Sequence, residues 1–279
     1  MEISKGVDVV IGGYSPSVYV VKAGEQTASP VLQQTNPSYI VKHQKLYYIV
    51  NEQANGSITV TDENFKVLTV VPTMGDDPCQ LTFDHKYNYI VAANYTSGSA
   101  IVYKLVNHLP TQVHAFIVHE GHGPNPDRQA SPHCHSSAFS EDNGIMLIAD
   151  LGTDIVYYYD FSSDKVSWNK DKSLKIEGAG PRTLANGRKG SQLIYLSCEL
   201  DNTVRVLSYS QNGLNQIIAY KISQNPTNYP AEVHYFRNQV FLALRGDDKI
   251  MIFDEKEDKL EVNCSFKVKE FPRHFSISG

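Results

Sequence analysis

The chain has 279 residues and a formal net charge of −5 at pH 7. This length can bury a large core, and the acidic balance gives no basic footprint of the kind that indicates nucleic-acid binding. The first eight residues lack the features of a secretion signal, and no apolar stretch reaches the roughly 18 residues that cross a bilayer. We therefore predict a cytoplasmic protein that binds neither nucleic acid nor a membrane, with its oligomeric state open.

The four cysteines are far apart in the sequence and form no Cys-x-x-Cys pair. Without a secretion signal, cysteines in such an arrangement are expected to be reduced and mostly buried thiols. The residues concerned are Cys79, Cys134, Cys198 and Cys264.

Six prolines open similar short apolar segments along the chain, at intervals of 41, 54, 49, 49 and 42 residues. Repeats of this length that consist of short strands are typical of β-propellers. The sequence therefore predicts an all-β fold, a propeller of four-stranded antiparallel blades with six visible repeats, in a single domain over residues 1–279. The prolines are Pro37, Pro78, Pro132, Pro181, Pro230 and Pro272.

The predicted elements begin with residues 9–14 and 17–21, which resemble the second and third strands of a blade. The later third strands start at Ile58, Ala100, Ile155, Val204 and Ile250. No segment of ten or more residues has helical periodicity. Residues 272–278 are predicted as a first strand without successors. The ring is thus either six-bladed, completed by the N-terminal strands, or seven-bladed without its last blade.

Unusual side chains occur five residues before each third strand, at the predicted end of the second strand. In a propeller these positions form a ring at one face, where a charge costs free energy unless it is paired or hydrated. Glu199 and Arg245 are candidate catalytic residues there, and Tyr95 and Asp150 are candidate substrate-binding residues. The full set is Gly13, Gln53, Tyr95, Asp150, Glu199 and Arg245.

A second ring of positions directly follows the repeat prolines and is expected to line the central channel. It contains His133, Arg182 and Arg273, and His135 and His274 lie close to it in the sequence. Arginines bind carboxylates or phosphates through forked hydrogen bonds and stabilise oxyanions, while histidine or glutamate transfers protons near neutral pH. The register therefore predicts a catalytic group of His133 or His135, Arg182, Glu199 and Arg245. Arg273 and His274 are the other predicted substrate-binding residues. Purely structural ion pairs between blades are the alternative.

Half of the ten histidines fall within 22 residues, which raises the question of a metal site. Zinc uses such ligands, but this spacing resembles no compact zinc motif, and the chain has no glycine-rich phosphate loop. We therefore predict no metal and no cofactor. The Gly- and Pro-rich segment 119–130 is predicted to be a functional loop. The histidines are His114, His119, His122, His133 and His135.

Residues 119–136, His-Glu-Gly-His-Gly-Pro-Asn-Pro-Asp-Arg-Gln-Ala-Ser-Pro-His-Cys-His-Ser, resemble the propeller-type 6-phosphogluconolactonases, whose family includes the carboxy-muconate cyclases. Shorter matches, such as Gly-Ala-Gly-Pro-Arg at 178–182 and Ala-Glu-Val-His at 231–234, follow in the family's order. The resemblance implies a seven-bladed, metal-independent hydrolase of the pentose phosphate pathway that opens the lactone of a phosphorylated sugar acid. It also implies that the family's active-site His, Arg, Glu and Arg correspond to His133 or His135, Arg182, Glu199 and Arg245.

The leading hypothesis is hydrolysis of 6-phosphogluconolactone to 6-phosphogluconate, with a small anionic lactone as the partner. An imidazole or Glu199 would activate water, and an arginine would stabilise the oxyanion. The sequence does not separate a phosphate from a carboxylate ligand, so a muconate-type lactonase or cyclase stays open. A non-catalytic propeller that binds proteins also stays open, and it predicts that Arg182 and Glu199 tolerate alanine.

Overall fold

A computed structural model describes residues 7–277 of the chain. Within that range it contains 24 β-strands, one short 3-10 helix at Lys170–Lys172 and no α-helix. The described residues therefore include no helix that is long and apolar enough to cross a membrane. The described chain divides into two compact units, residues 7–82 with 87–118 and residues 83–86 with 119–277.

The first unit contains three antiparallel sheets with the strand orders β1-β2-β3, β4-β5-β6-β7 and β8-β9-β10-β11. Each sheet is a meander in which consecutive strands pair. The strands are β1 Val9–Ile11, β2 Ser17–Val21, β3 Ala28–Gln33, β4 Ile40–His43, β5 Leu46–Asn51, β6 Ser57–Thr61, β7 Val67–Pro72, β8 Pro78–Phe83, β9 Tyr89–Asn94, β10 Ser99–Val106 and β11 Leu109–Val118.

The second unit also contains three antiparallel sheets, with the orders β12-β13-β14-β15, β17-β18-β19-β20 and β21-β22-β23-β24, and the short strand β16 pairs with β14. The strands are β12 Cys134–Phe139, β13 Ile145–Asp150, β14 Ile155–Phe161, β15 Val166–Trp168, β16 Leu174–Lys175, β17 Pro181–Asn186, β18 Leu193–Cys198, β19 Thr203–Ser210, β20 Gly213–Lys221, β21 Pro230–Phe236, β22 Gln239–Leu244, β23 Lys249–Lys256 and β24 Lys259–Lys267.

The second strands of the sheets explain why these segments fold as they do. Strands β9, β13 and β18 are buried along their whole length. Their apolar runs are continuous rather than alternating because both faces of each strand pack against other residues. In the second unit, Tyr158, Ile194 and Leu196 belong to one core cluster, and Tyr195, Val206 and Leu242 belong to another. The predicted second and third strands are confirmed.

Two sequence-based expectations differ from the structure. The predicted strand at 272–278 is wrong, because residues 268–277 contain no strand and Ser278 lies outside the described residues. Pro272 has no N–H for a ladder, and the carbonyl of Phe275 accepts a hydrogen bond from the His234 side chain instead. All four cysteines are free, but only Cys134 and Cys198 are buried.

Candidate active site

Three edge strands of the second unit, β12, β17 and β21, pack side by side. Near the start of each strand the pairing register shifts by one residue. These shifts place β-bulges at His135, at Arg182 and at Ala231–Glu232. A bulge leaves a residue outside the ladder and redirects its side chain, and bulges often occur beside active sites. The side chains at these bulges are therefore candidates for the functional site.

The bulges also decide between His133 and His135 as the counterpart of Arg182. Cys134 pairs with the last residue of β13, as Pro181 pairs with the last residue of β18. His135 therefore corresponds to Arg182 in the structure. The register that places His133 beside Arg182 is wrong by two residues, because β12 begins two residues after its repeat proline.

Glu199, which follows β18, forms ion pairs with three arginines. Its Oε2 atom lies 3.1 Å from Nε of Arg182 and 2.5 Å from Nη2 of Arg245. Its Oε1 atom lies 2.6 Å from Nη2 of Arg128. The side chains of Glu199, Arg182 and Arg245 are buried, whereas that of Arg128 is 35% exposed. We call these four residues the Glu199 cluster; three guanidiniums and one carboxylate leave it with two excess positive charges.

The arginines keep Glu199 ionised. Burial alone would raise the pKa of Glu199, but the charges of Arg245, Arg182 and Arg128 lower it to about 2. Burial and the charge of Arg182 lower the pKa of Arg245 to about 10, so this guanidinium still carries its charge at neutral pH. Both oxygens of Glu199 have partners, and a carboxylate with so low a pKa is a weak base. Glu199 is therefore suited to hold the arginines rather than to accept a proton.

The turn before β17 is held by Asp154, and it positions two members of the cluster. The Asp154 carboxylate accepts hydrogen bonds from the backbone N–H of Gly178 at 2.6 Å and of Gly180 at 2.8 Å. Gly180 has a φ of +62°, and a Cβ there would lie 2.5 Å from a leucine side chain, so the position requires glycine. The Gly180 carbonyl accepts the N–H of Glu199 at 2.8 Å. One turn thus fixes the start of the Arg182 strand and the backbone of Glu199.

Arg128 was missed by the repeat register because it lies in the loop before β12, outside the repeats. Asn125 accepts the N–H of Arg128 through Oδ1 at 3.2 Å. The next residue, Gln129, is fully buried and donates from Nε2 to the carbonyl of Leu151 at 2.8 Å. A Cβ on Gly123 would lie 2.5 Å from the Gln129 amide. The only signal available was the specific Gly-Pro-Asn-Pro-Asp-Arg-Gln run, which surrounds one arginine with turn-forming residues.

His135 is buried close to the same arginines. Burial, followed by the charges of Arg182, Arg273 and Arg245, lowers the pKa of His135 well below its usual 6.5. The imidazole is therefore neutral at neutral pH, and one of its ring nitrogens keeps a lone pair that can accept a proton. Among the predicted residues, His135 is therefore the candidate for a general base, and the same lowered pKa makes it a weaker base than an ordinary imidazole.

Glu232 is a further ionisable group that the sequence-based argument missed, because the proline register selected its neighbour Ala231. It lies on β21 with 5% exposure, and its Oε1 atom is 3.4 Å from Nε2 of His234. Burial raises the pKa of Glu232 to about 8, and the charge of Arg182 lowers it only in part. The carboxyl group is therefore protonated at neutral pH.

Asp150 has a different place from the one predicted. Asp150 pairs with Ile155, the first residue of β14. In the next sheet the residue that pairs with the first residue of β19 is Cys198, not Glu199. The predicted alignment of Asp150 with Glu199 and Arg245 is therefore wrong by one residue, which turns the side chain to the opposite face.

The Asp150 carboxylate is fully buried and accepts hydrogen bonds through both oxygens. Oδ1 accepts the backbone N–H of His133, Gly152 and Thr153 at 2.8, 2.9 and 3.0 Å. Oδ2 accepts Nδ1–H of His119 at 2.6 Å. These bonds suit Asp150 to hold the loop before β12 rather than a substrate.

His119, Cys134 and Asp150 form one of two groups of metal-ligand side chains found among residues 7–277. The 2.6 Å between His119 and Asp150 is a hydrogen-bond distance. Two ligands that each lie about 2.0–2.2 Å from a shared zinc ion are separated by more than about 3 Å. The first group is therefore arranged as a hydrogen-bond network. The second group is Glu232, His234 and His274.

The remaining predicted residues take separate places. Tyr95 is half-buried and follows β9 in the first unit. His133 is half-buried before β12. Arg273 and His274 are exposed residues of the segment after β24, and the charge of Arg273 acts on both His135 and Arg245. The substrate-binding roles of Tyr95, Arg273 and His274 and the catalytic role of His133 stay predictions.

The sequence matches the family model of the lactonases with a seven-bladed β-propeller over residues 8–279. The chain belongs to this lactonase family. Membership confirms the all-β propeller fold, the resemblance seen in the sequence and the enzyme class, a lactone hydrolase. The family is described as seven-bladed, and residues 7–277 of this lactonase form six sheets.

Individual relatives agree with this assignment. A 6-phosphogluconolactonase from Bacillus subtilis (strain 168) is 27% identical to this lactonase over 259 residues, which cover 86% of this chain and 73% of that protein. A protein from Lactococcus lactis subsp. cremoris is 31% identical over 267 residues, 88% of this chain and 77% of its own. A solved structure from Bacteroides fragilis has a TM-score of 0.85 at 24% identity, covers 100% of this chain and 86% of that one, and shows the shared fold.

Proposed function

We propose that this lactonase hydrolyses the lactone of a phosphorylated sugar acid, 6-phosphogluconolactone, to 6-phosphogluconate. The observation that supports the proposal is the Glu199 cluster, in which three arginines surround one carboxylate beside the neutral His135. Such a cluster suits an anionic substrate, and a neighbouring imidazole suits the activation of water.

The charge of the cluster matches the charge of the substrate. A phosphate monoester carries a charge of about −1.5 to −2 at pH 7. Guanidiniums bind phosphate through forked hydrogen bonds, and the same geometry stabilises an oxyanion. Arg128 is the most exposed member of the cluster, so we assign it to the phosphate. The buried Arg182 and Arg245 are assigned to the carbonyl oxygen.

Water activation is assigned to His135. The oxygens of Glu199 are occupied by arginines, so its carboxylate keeps those arginines in position. The neutral His135 accepts a proton from water as the water oxygen attacks the lactone carbonyl. The arginines stabilise the negative charge that develops on the carbonyl oxygen. The proposal uses no metal.

The test is the hydrolysis of fresh 6-phosphogluconolactone by purified protein at pH 7, followed in a pH-stat with the spontaneous rate subtracted. His135→Gln is expected to lower kcat by about 10²–10⁴-fold, the usual contribution of a general base. Arg182→Lys is expected to lower kcat/KM by about 10²-fold or more through the loss of oxyanion stabilisation.

Arg205→Lys is the matched control, because Arg205 pairs with Asp201 and not with Glu199. It is expected to keep the wild-type rate. A wild-type rate equal to the spontaneous rate would contradict the proposal. A faster reaction with a muconate-type dicarboxylate lactone would replace the proposed substrate by that class.

A further inference from the structure

Glu232 is a buried carboxyl group that the mechanism above leaves without a role. It lies at the bulge of β21, next to the strand that carries Arg182, and β17 in turn packs beside the strand of His135. Its side chain is 7% exposed, and its one ion-pair neighbour among residues 7–277 is His234, at 3.4 Å. Glutamates are rarely buried without a paired cation, and one that is buried in this way tends to be neutral.

The surroundings of Glu232 keep it uncharged. Nε2 of His234 lies 2.9 Å from the carbonyl oxygen of Phe275 and donates its proton there. Burial lowers the pKa of His234, so that ring is neutral and gives no counter-charge. Arg182 is the cation that acts on Glu232, but its guanidinium is already paired with Glu199.

The same surroundings disfavour a cation at this place. Glu232, His234 and His274 offer ligand atoms within 4.8 Å of one another. However, the positive charge of Arg182 acts on both Glu232 and His274, and Nε2 of His234 is bonded to a carbonyl. A proton-carrying role therefore fits these residues better than a metal site.

The two strands that pack on either side of β17 thus carry two groups with opposite proton occupancy. His135 is buried and unprotonated, and Glu232 is buried and protonated. Pairs of groups whose environments push their pKa values in opposite directions commonly divide the acid and base roles of one reaction.

We propose that Glu232 is the general acid that protonates the ring oxygen when the lactone opens. The proposal rests on the lactone hydrolysis proposed above and names the residue that completes it. An alkoxide is a poor leaving group, so a proton delivered during bond cleavage lowers the barrier. Glu232 lies at the bulge of β21, beside the strand that carries Arg182, and the proposal places the ring oxygen of the lactone next to it.

Hydrolysis then proceeds through the following bond changes and proton transfers. The water oxygen forms a bond to the carbonyl carbon, and one water proton passes to His135. The bond between the carbonyl carbon and the ring oxygen then breaks, and the ring oxygen takes the proton of Glu232 to become a hydroxyl group. The proton on His135 returns to Glu232 through solvent, and the new carboxylic acid releases its own proton to solvent.

The test compares the wild type with Glu232→Gln on 6-phosphogluconolactone between pH 6 and 9, with the spontaneous rate subtracted at each pH. In the wild type, kcat/KM is expected to fall as the pH rises through about 8, because the acid loses its proton. Glu232→Gln is expected to lower kcat by about 10²–10⁴-fold and to remove this alkaline decline. Glu232→Asp keeps an acid and is expected to recover part of the rate together with the decline.

The matched control is Glu255→Gln, since Glu255 is another buried glutamate and pairs with Arg188 at 4.0 Å. It is expected to keep the wild-type rate and pH profile. Thermal unfolding of each variant checks the fold, and the wild-type profile remains a test if Glu232→Gln does not fold. An active wild type with no alkaline decline, or a Glu232→Gln variant with the wild-type rate and profile, would overturn the role of Glu232 alone. A wild type that does not hydrolyse this lactone would contradict both proposals.

Discussion

The same position of the blade holds a neutral amide in the first unit and an ionised carboxylate in the second. Asn94 ends β9 and is fully buried; its Nδ2 donates to the carbonyl of Thr73 at 3.1 Å and to Oγ of Ser99 at 3.0 Å. Asp150 ends β13 in the same way, and it accepts three backbone N–H groups and His119. Burial of the carboxylate is tolerated only because each oxygen has donors.

The two positions show where this fold requires charge. A neutral amide is sufficient to connect a strand end with the neighbouring turn in the first unit. The carboxylate of Asp150 does more, because its donors come from the loop before β12 and from the turn after β13. The residue directly after the second strand shows the same contrast. Glu52 follows β5 and accepts a hydrogen bond from the exposed Tyr14. Glu199 follows β18 and forms ion pairs with three arginines.

The largest expected effect comes from Glu199→Gln, which removes the only anion of the Glu199 cluster. Three guanidiniums would then lie together without a counter-charge, and such a loss in a buried network costs about 3–5 kcal/mol. We expect kcat/KM to fall by about 10³-fold or more, because both oxyanion donors lose their position. Urea unfolding and the lactone assay measure the two effects.

Glu52→Gln is the matched change in the first unit. It alters a partly exposed hydrogen bond, so we expect less than about 0.5 kcal/mol and an unchanged rate. Equal effects of Glu199→Gln and Glu52→Gln on stability and on rate would contradict a functional difference between the two positions.

The strands were predictable because burial on both faces requires continuous apolar runs, and turn residues separate them. The failures have equally local causes. Five of the six third strands begin with a polar or charged residue one position before the first apolar one, but β14 begins at Ile155 itself. Alignment on the first apolar residue therefore shifts Asp150 by one place, and strand alternation turns it away from Glu199.

The candidate site was predictable only where its residues occupy repeated positions. Arg182, Glu199 and Arg245 do so, and the structure brings their side chains together. Arg128 comes from a loop outside the repeats. Glu232 looks like an ordinary polar residue of a strand, and its distinction is its burial without a matched cation, which depends on tertiary packing. The bulge that selects His135 over His133 leaves no mark in the sequence.

Exchanging the side chains of Asp150 and Asn94 would test whether stability depends on the position in the blade or on the residue type. Asp150→Asn places amide hydrogens where His119 and backbone N–H groups donate, so we expect a loss of about 2–3 kcal/mol in the free energy of unfolding. Asn94→Asp buries a carboxylate against the Thr73 carbonyl, and we expect a similar loss that shrinks at acid pH, where the new carboxyl is protonated.

The two substitutions should differ in activity. Asp150→Asn loosens the loop that leads to β12, so kcat/KM is expected to fall about tenfold, because small misplacements of reacting groups reduce rates. Asn94→Asp is expected to leave kcat/KM unchanged for the folded fraction. Unfolding curves at pH 5 and pH 7, together with the lactone assay, separate the outcomes; equal losses of activity would contradict the distinction between the two positions.

The smallest expected effect concerns Arg128. It tests whether an arginine of the Glu199 cluster contributes less to the free energy of unfolding when it is more exposed. Arg128 is 35% exposed, and an ion pair this accessible is worth about 1 kcal/mol or less to stability. Arg128→Lys should therefore leave the free energy of unfolding nearly unchanged, while the loss of the forked geometry should raise KM for a phosphorylated lactone by about three- to tenfold with kcat retained. A larger loss of kcat than Arg182→Lys causes would reverse the assignment of the two arginines, with Arg128 at the reacting carbonyl and Arg182 at the phosphate.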